Sequence, residues 1–171
     1  MSLSPFVFGL AGFSGSGKTT LAEKLISSAA QDGIKIATIK HAHHHFEADI
    51  EGKDSWRHRK AGAQQTLIAS AYRSALFTEN QVEKRPELSD LLARLDKCDW
   101  VLVEGFKFES IVKIEIYDKA LGHTPLYLND ENITALITDN SVEDCSLPQF
   151  KRDDVAGIYR FLCEHAKRDK S

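Results

Sequence analysis

The sequence predicts a three-layer α/β sandwich on a mostly parallel sheet, and three observations carry that expectation. Short apolar runs rich in branched and aromatic residues recur along the chain, as in strands buried on both faces. They alternate with segments of helical periodicity, the pattern of layered α/β domains. Between Phe6 and Lys40 a strand, a glycine-rich loop, a helix and a second strand follow one another. That is a βαβ unit, whose crossover is right-handed in nearly all proteins.

The first strand is read at Phe6–Leu10, a short apolar run leading into glycines. After the loop, Leu21, Ala22, Leu25, Ile26 and Ala29 share one helical face, and Gly33 is a natural helix stop. Ile34–Lys40 reads as the second strand. The stretch "AGAQQTLIASAYRSALF" is ambiguous between a helix and a β-hairpin; strands at about 66–70 and 73–77 are preferred. Leu88, Leu91, Leu92 and Leu95 recur at helical spacing after Pro86. "WVLVEG", from Trp100 to Gly105, is a buried strand ending in an acid. "VKIEIYD" alternates, with Val112, Ile114 and Ile116 opposite Lys113, Glu115 and Tyr117, and reads as a half-exposed antiparallel or edge strand. Ile133–Ile137 is another buried strand. "DDVAGIYRFLCEHAKR" is an amphipathic helix with acids in its first turn and bases in its last, as the helix dipole favours.

With 171 residues, 42% hydrophobic and 27% charged, the chain has the composition and length of one globular domain. A net charge of -3 argues against a general binder of nucleic acid or of anionic membranes. Cys98, Cys145 and Cys163 form no C-x-x-C pair, which fits a reducing compartment without disulfides. The N-terminal run reads as a strand rather than a signal peptide, and no stretch reaches the ~18 apolar residues of a membrane helix. A cytoplasmic protein is expected.

Gly12-x-x-x-x-Gly17-Lys18-Thr19 matches the Walker A pattern at every fixed position, with Thr20 following and with the required strand before and helix after. Gly12, Gly15 and Gly17 let the backbone curl so that successive N–H groups, including those of Ser14 and Ser16, point at phosphate oxygens. Those groups also stand at a helix N-terminus, where the dipole favours anions. Lys18 would reach the β- and γ-phosphates, and the Thr19 hydroxyl would ligate Mg²⁺. The fold class is therefore a P-loop NTPase three-layer sandwich, with a β-hairpin or edge-strand extension, in a single nucleotide-binding domain over residues 1–171.

Such folds carry a carboxylate at the end of a buried strand, serving Mg²⁺ directly or through water. Glu104 is that candidate, with a solvated loop acid as its bland alternative. The stretch "KHAHHHFEADIEGKDSWRHRKAGA" admits three readings: a solvated polar loop, a metal site, or a loop above the phosphate cradle. A metal site would use His41, His43, His44, His45 and nearby acids, but adjacent histidines point in different directions and no thiolate joins them. The third reading follows from position, since ligands lie beyond the carboxyl ends of parallel strands. There Asp49 or Asp54 would hold Mg²⁺ or its waters, while His43, Arg57, Arg59 and Lys60 would face phosphates or an anionic partner.

The run "TIKHAHHHFEADIEGKDSWRHRKAGA", after "GFSGSGKTTL" and before "LVEGFK", closely resembles the molybdopterin-guanine dinucleotide biosynthesis protein B family (MobB). The resemblance spans most of the chain in order, and the combination is far more specific than Walker A alone. It implies a homodimeric GTPase-like fold that binds GTP with Mg²⁺ and hydrolyses it weakly. It further implies an adaptor to the guanylyltransferase that joins GMP to molybdopterin. By position, Gly12 to Thr20 would hold the phosphates. Thr19 and Glu104 would serve Mg²⁺, with Asp49 a weaker candidate. The basic and histidine segment, including His43, Asp54 and Arg57, would face the γ-phosphate, the pterin or the partner enzyme. "VKIEIYD" and the hairpin are the candidate dimer surfaces.

Guanine choice is not written as a motif. N-K-x-D is absent, and Asp139 in "ITDN" stands where a base-reading acid could lie; an ordinary strand-to-loop turn accounts for it equally well. Two other functions share these features. A small-molecule kinase would use Arg57, Arg59 and Lys60 as lid cations, and a metal-insertion GTPase would use the histidines.

Overall fold

A computed structural model describes residues 4–42, 46–82 and 86–169. In chain order the elements are β1 (Phe6–Ala11), α1 (Lys18–Gln31), β2 (Ile36–Lys40), α2 (Asp54–Lys60), β3 (Gln65–Ala69) and β4 (Ser74–Thr78). Then follow α3 (Leu88–Leu92), β5 (Trp100–Glu104), β6 (Val112–Ile116), β7 (Ile133–Ile137), β8 (Gln149–Phe150) and α4 (Val155–Arg168). The chain divides into two compact units, one of Met1–His41 with Leu88–Ser171 and one of Ala42–Glu87.

The larger unit holds a six-stranded sheet in the order β2-β5-β1-β6-β7-β8, with every neighbouring pair parallel. One face packs Phe6, Phe8, Trp100, Leu102, Ile114 and Ile137 against Leu21 and Leu25 of α1 and Ile158 and Leu162 of α4. Phe6 and Phe8 stack at 5.6 Å and each meets Trp100 edge-on at 5.7 Å. Such offset and edge contacts are the preferred aromatic geometries. The other face packs Val101, Val103, Ile39 and Phe106 against Leu88 of α3, with Leu91, Leu92 and Leu95 at its margin. Helix, sheet and helix make the three-layer sandwich that the alternation of elements predicts.

Gly33, at φ 74°, closes α1, with the Ile34 N–H donating to Ala29 O at 2.9 Å. Asp154 opens α4 by accepting from the Gly157 N–H at 2.9 Å.

The reading of "VKIEIYD" as an edge strand is corrected. β6 lies inside the sheet, between β1 and β7, and is parallel to both. Lys113 and Glu115 are buried, at 3% and 0% exposure. The Lys113 ammonium donates to Asp130 Oδ2 at 2.7 Å and to Lys107 O at 2.9 Å. Glu115 accepts from the Leu126 and Tyr127 N–H groups at 2.7 and 2.9 Å. The β6–β7 connection thus supplies internally the partners that water supplies to a solvent-facing strand. Burial raises the Glu115 carboxyl above its ordinary range, against those two hydrogen bonds. This position also removes the strand from the candidate dimer surfaces.

The smaller unit contains α2 and the antiparallel β3–β4 hairpin, one residue from the expected bounds, with Leu67 opposite Leu76. Its charged centre is Arg59, 2.7 Å from Glu79 Oε1 and 3.4 Å from Asp49 Oδ2, with the guanidinium 5.2 Å from the Phe77 ring centroid. On the hairpin Leu67, Leu76 and Tyr72 are exposed, at 68%, 58% and 98%.

Candidate functional site

The loop from β1 into α1 is shaped by three glycines with positive φ, one of which has no space for a side chain. Gly12 has φ 139°, and a Cβ there would stand 2.5 Å from Ile116 O and 2.8 Å from Ser16 Oγ. Gly15 and Gly17, at φ 80° and 95°, hold the left-handed turns that aim the backbone inward. The Lys18 ammonium folds across this curl, 3.0 Å from Gly12 O and 2.7 Å from Phe13 O. Ser14, Thr19 and Thr20 are exposed at the mouth. Ser16 is not; it is 1% exposed and, among the described residues, its hydroxyl has no hydrogen-bond partner.

Glu104 ends β5, with Leu10 of β1 and Lys40 of β2 as its register neighbours. Its side chain is 12% exposed and lies 3.9 Å from the Lys40 ammonium. The Lys18 amine is held below its usual range, chiefly by burial; Glu104 opposes that shift and Lys107 and Lys40 add to it. Glu104 and Lys18 therefore feel one another beside the loop. Gly105, at φ 89°, lets the backbone touch His41, whose Cβ and O would both lie 3.0 Å from a Cβ at Gly105. The His41 N–H donates to Glu104 O at 2.9 Å, and its ring tilts against Phe106 at 5.3 Å. The first histidine of the tract thus belongs to the packing that fixes Glu104.

In the smaller unit Asp49 is engaged at both oxygens. Oδ1 accepts from the Ile50 N–H and the Ser55 hydroxyl, at 2.9 and 2.8 Å, and Oδ2 faces Arg59. Asp54 is the exposed acid in the first turn of α2, a helix absent from the sequence expectation, and Arg57 is exposed in its last turn. Lys60 lies over the Trp56 ring at 5.5 Å. His43, with His44 and His45, lies outside the described residues. Among the described residues no three His, Cys, Asp or Glu side chains converge as metal ligands.

Asp139 follows β7, on the opposite side of β1 from Glu104. Thr138 and Asn140 close a local turn, with the Thr138 hydroxyl donating to Asn140 O at 3.0 Å, and leave the Asp139 side chain 61% exposed. Two neighbours escaped the sequence reading. Arg152 reaches Asp139 from just beyond β8, with Nε 3.2 Å from Oδ2. His123 stacks on Phe13 of the loop at 3.9 Å. A strand of only two residues left no periodicity from which Arg152 could be placed.

These residues fit a magnesium nucleotide. The cradle has no room for a side chain at Gly12 and needs left-handed backbone at Gly15 and Gly17; its lysine holds carbonyls in place of a phosphate, and the Thr19 hydroxyl and Glu104 carboxylate are of the hard oxygen type that Mg²⁺ takes. A family model described as molybdopterin guanine dinucleotide synthesis protein B matches residues 7–139.

The chain belongs to the MobB family.

It is 43% identical over 158 residues to the molybdopterin-guanine dinucleotide biosynthesis adapter protein of Escherichia coli, spanning 90% of this chain and 89% of that relative. The Haemophilus influenzae adapter protein is 42% identical over 139 residues, spanning 80% and 76%. Among solved structures, Bacillus subtilis MobB superposes with a TM-score of 0.72 at 28% identity, covering 92% of this chain and 96% of that one. A MobB homolog from Bacillus stearothermophilus gives 0.67 at 25% identity, covering 95% and 98%. The MobB resemblance drawn from the motifs and the parallel three-layer fold are thereby established. No helix among the described residues is long and apolar enough to cross a membrane.

Proposed function

We propose that this chain is a cytoplasmic, homodimeric GTP-binding adaptor. In this reading it assists the guanylyltransferase that attaches GMP to molybdopterin. The observation that carries the reading is the glycine-shaped cradle closing on Lys18, in a chain so similar to adapter proteins of that pathway. Lys18 would exchange the Gly12 and Phe13 carbonyls for β- and γ-phosphate oxygens, and the backbone from Gly12 to Thr20 would line the phosphates. Thr19 and Glu104 would hold Mg²⁺, which neutralises phosphate charge when bound. Asp49 is committed to Arg59 and Ser55, which leaves Glu104 the better-placed acid. The exposed Asp54 and Arg57, with His43, form the segment assigned to the pterin or to the partner. The exposed hairpin leucines support the second copy as their cover.

The test incubates the chain with GTP or ATP and Mg²⁺, with and without a guanylyltransferase and molybdopterin, and follows the nucleotide products. Slow turnover alone and faster dinucleotide formation with both partners are expected. Rapid stand-alone phosphoryl transfer to a small acceptor would sink the adaptor reading and favour a kinase.

A further inference from the structure

We propose that Arg152 and Asp139 together read guanine, Arg152 donating to the base O6 and Asp139 accepting from its N1 and N2 hydrogens. The inference rests on the GTP-binding reading and adds to it a second residue for the base.

Arg152 crosses the rim where β6, β7 and β8 end. Its Nε lies 3.2 Å from Asp139 Oδ2 as an ion pair, without the alignment of a hydrogen bond. Its Nη2 is 3.1 Å from Asp118 Oδ2 and donates to Tyr117 O at 3.4 Å. Asp118 is itself fixed, accepting from the Ala120 N–H at 2.9 Å. The remaining nitrogen, Nη1, has no hydrogen bond or ion pair among the described residues. It stands 3.7 Å from the position a Cβ would take on Gly17. A braced cationic donor and a solvent-open carboxylate therefore sit side by side, next to the last glycine of the phosphate cradle. In the proposed arrangement a base joined to phosphates held there meets both groups.

The pairing has a chemical direction. Guanine presents the O6 acceptor beside its N1–H and N2–H donors, while adenine presents an N6 donor beside an N1 acceptor. A guanidinium next to a carboxylate complements the first and opposes the second. Arg152 N–H would face adenine N6–H, and Asp139 oxygens would face the adenine N1 lone pair. Mismatches that leave polar groups unpaired discriminate far more strongly than changes of shape. The guanidinium also offers several donors in one rigid fork, so Nη1 can serve a base while Nη2 and Nε keep their acids.

The test is calorimetric titration of the full chain with GTP, ITP and ATP in Mg²⁺, for the wild type and Arg152→Met, Arg152→Lys and Asp139→Asn. ITP keeps O6 and N1–H but lacks the N2 amino group. Arg152→Met is expected to lower GTP and ITP affinity alike, by about tenfold or more, the scale of one hydrogen bond to a charged group. ATP affinity should hold or rise. Asp139→Asn should instead close the gap between GTP and ITP. Arg152→Lys should recover part of the loss, and it carries the test if Arg152→Met does not melt cooperatively by circular dichroism. An unchanged GTP-over-ATP preference in the arginine variants overturns the inference. So does an equal fall for all three nucleotides, which would mark a contact to the shared phosphates or a brace for the loops. A wild type that binds no GTP overturns the underlying reading instead.

Discussion

Gly12→Ala isolates what the loop's shape is worth. The added Cβ would start 2.5 Å from Ile116 O, a backbone atom of a strand held on both sides. To reach even 3.0 Å the loop must retreat by about 0.5 Å, and it must do so at φ 139°, where L residues are strained. The backbone term alone costs about 1–3 kcal/mol. A shift of that size moves N–H groups across the whole useful range of hydrogen-bond lengths. Two weakened bonds to an anion, at about 1.5–3 kcal/mol each, correspond to roughly 3–6 kcal/mol, or a factor of a hundred to ten thousand in Kd. Titration with a fluorescent GTP analogue measures the affinity, and thermal melting shows whether the fold is kept. A folded Gly12→Ala chain that binds GTP within about threefold of the wild type would refute the assignment of this loop as the phosphate site.

Lys18→Ala removes the ammonium that bridges Gly12 O and Phe13 O and is expected to abolish GTP binding in the same titration; unchanged affinity would contradict its role. Asp130→Ala leaves the ammonium of Lys113, a residue 3% exposed, without its carboxylate and with the Lys107 carbonyl still bound, so calorimetry should show a stability loss of about 2–4 kcal/mol, and a loss below about 1 would mean water reaches the amine. Leu67→Glu lies on the exposed hairpin face, opposite Leu76. It should shift sedimentation from dimer to monomer while leaving nucleotide affinity intact, and a dimer that persists would move the interface elsewhere.

Much of this molecule is written in local patterns. The strand at Trp100–Glu104 is apolar without interruption because both its faces are covered, and its acid falls at the strand end that faces the loop. The Walker A glycines are legible because they answer to a backbone requirement, as the clash at Gly12 makes concrete. β6 was misread because alternation reports only that every second residue is polar. Whether water or protein satisfies those residues depends on Asp130 and on the Leu126 and Tyr127 amides, more than ten residues away. Helix α2 hid in a run of charges, since none of its residues is buried and no apolar stripe marks it. Arg152 was invisible for a related reason: its meaning lies in Asp118 and Asp139, which only the parallel stacking of β6, β7 and β8 brings near.

The strand order has a consequence for how the protein is made. β5 pairs with both β1 and β2, so the two strands that flank the cradle's helix never touch each other. Phe6 waits for Trp100, which a ribosome adding about 5–20 residues per second delivers roughly 5–20 s later. Until then a nascent chain displays two unpaired apolar strands and a phosphate loop without Glu104. On the GTP-binding reading, nucleotide capture should therefore coincide with the joining of β2, β5 and β1, making the arrival of β5 a timed step at which GTP can assist folding.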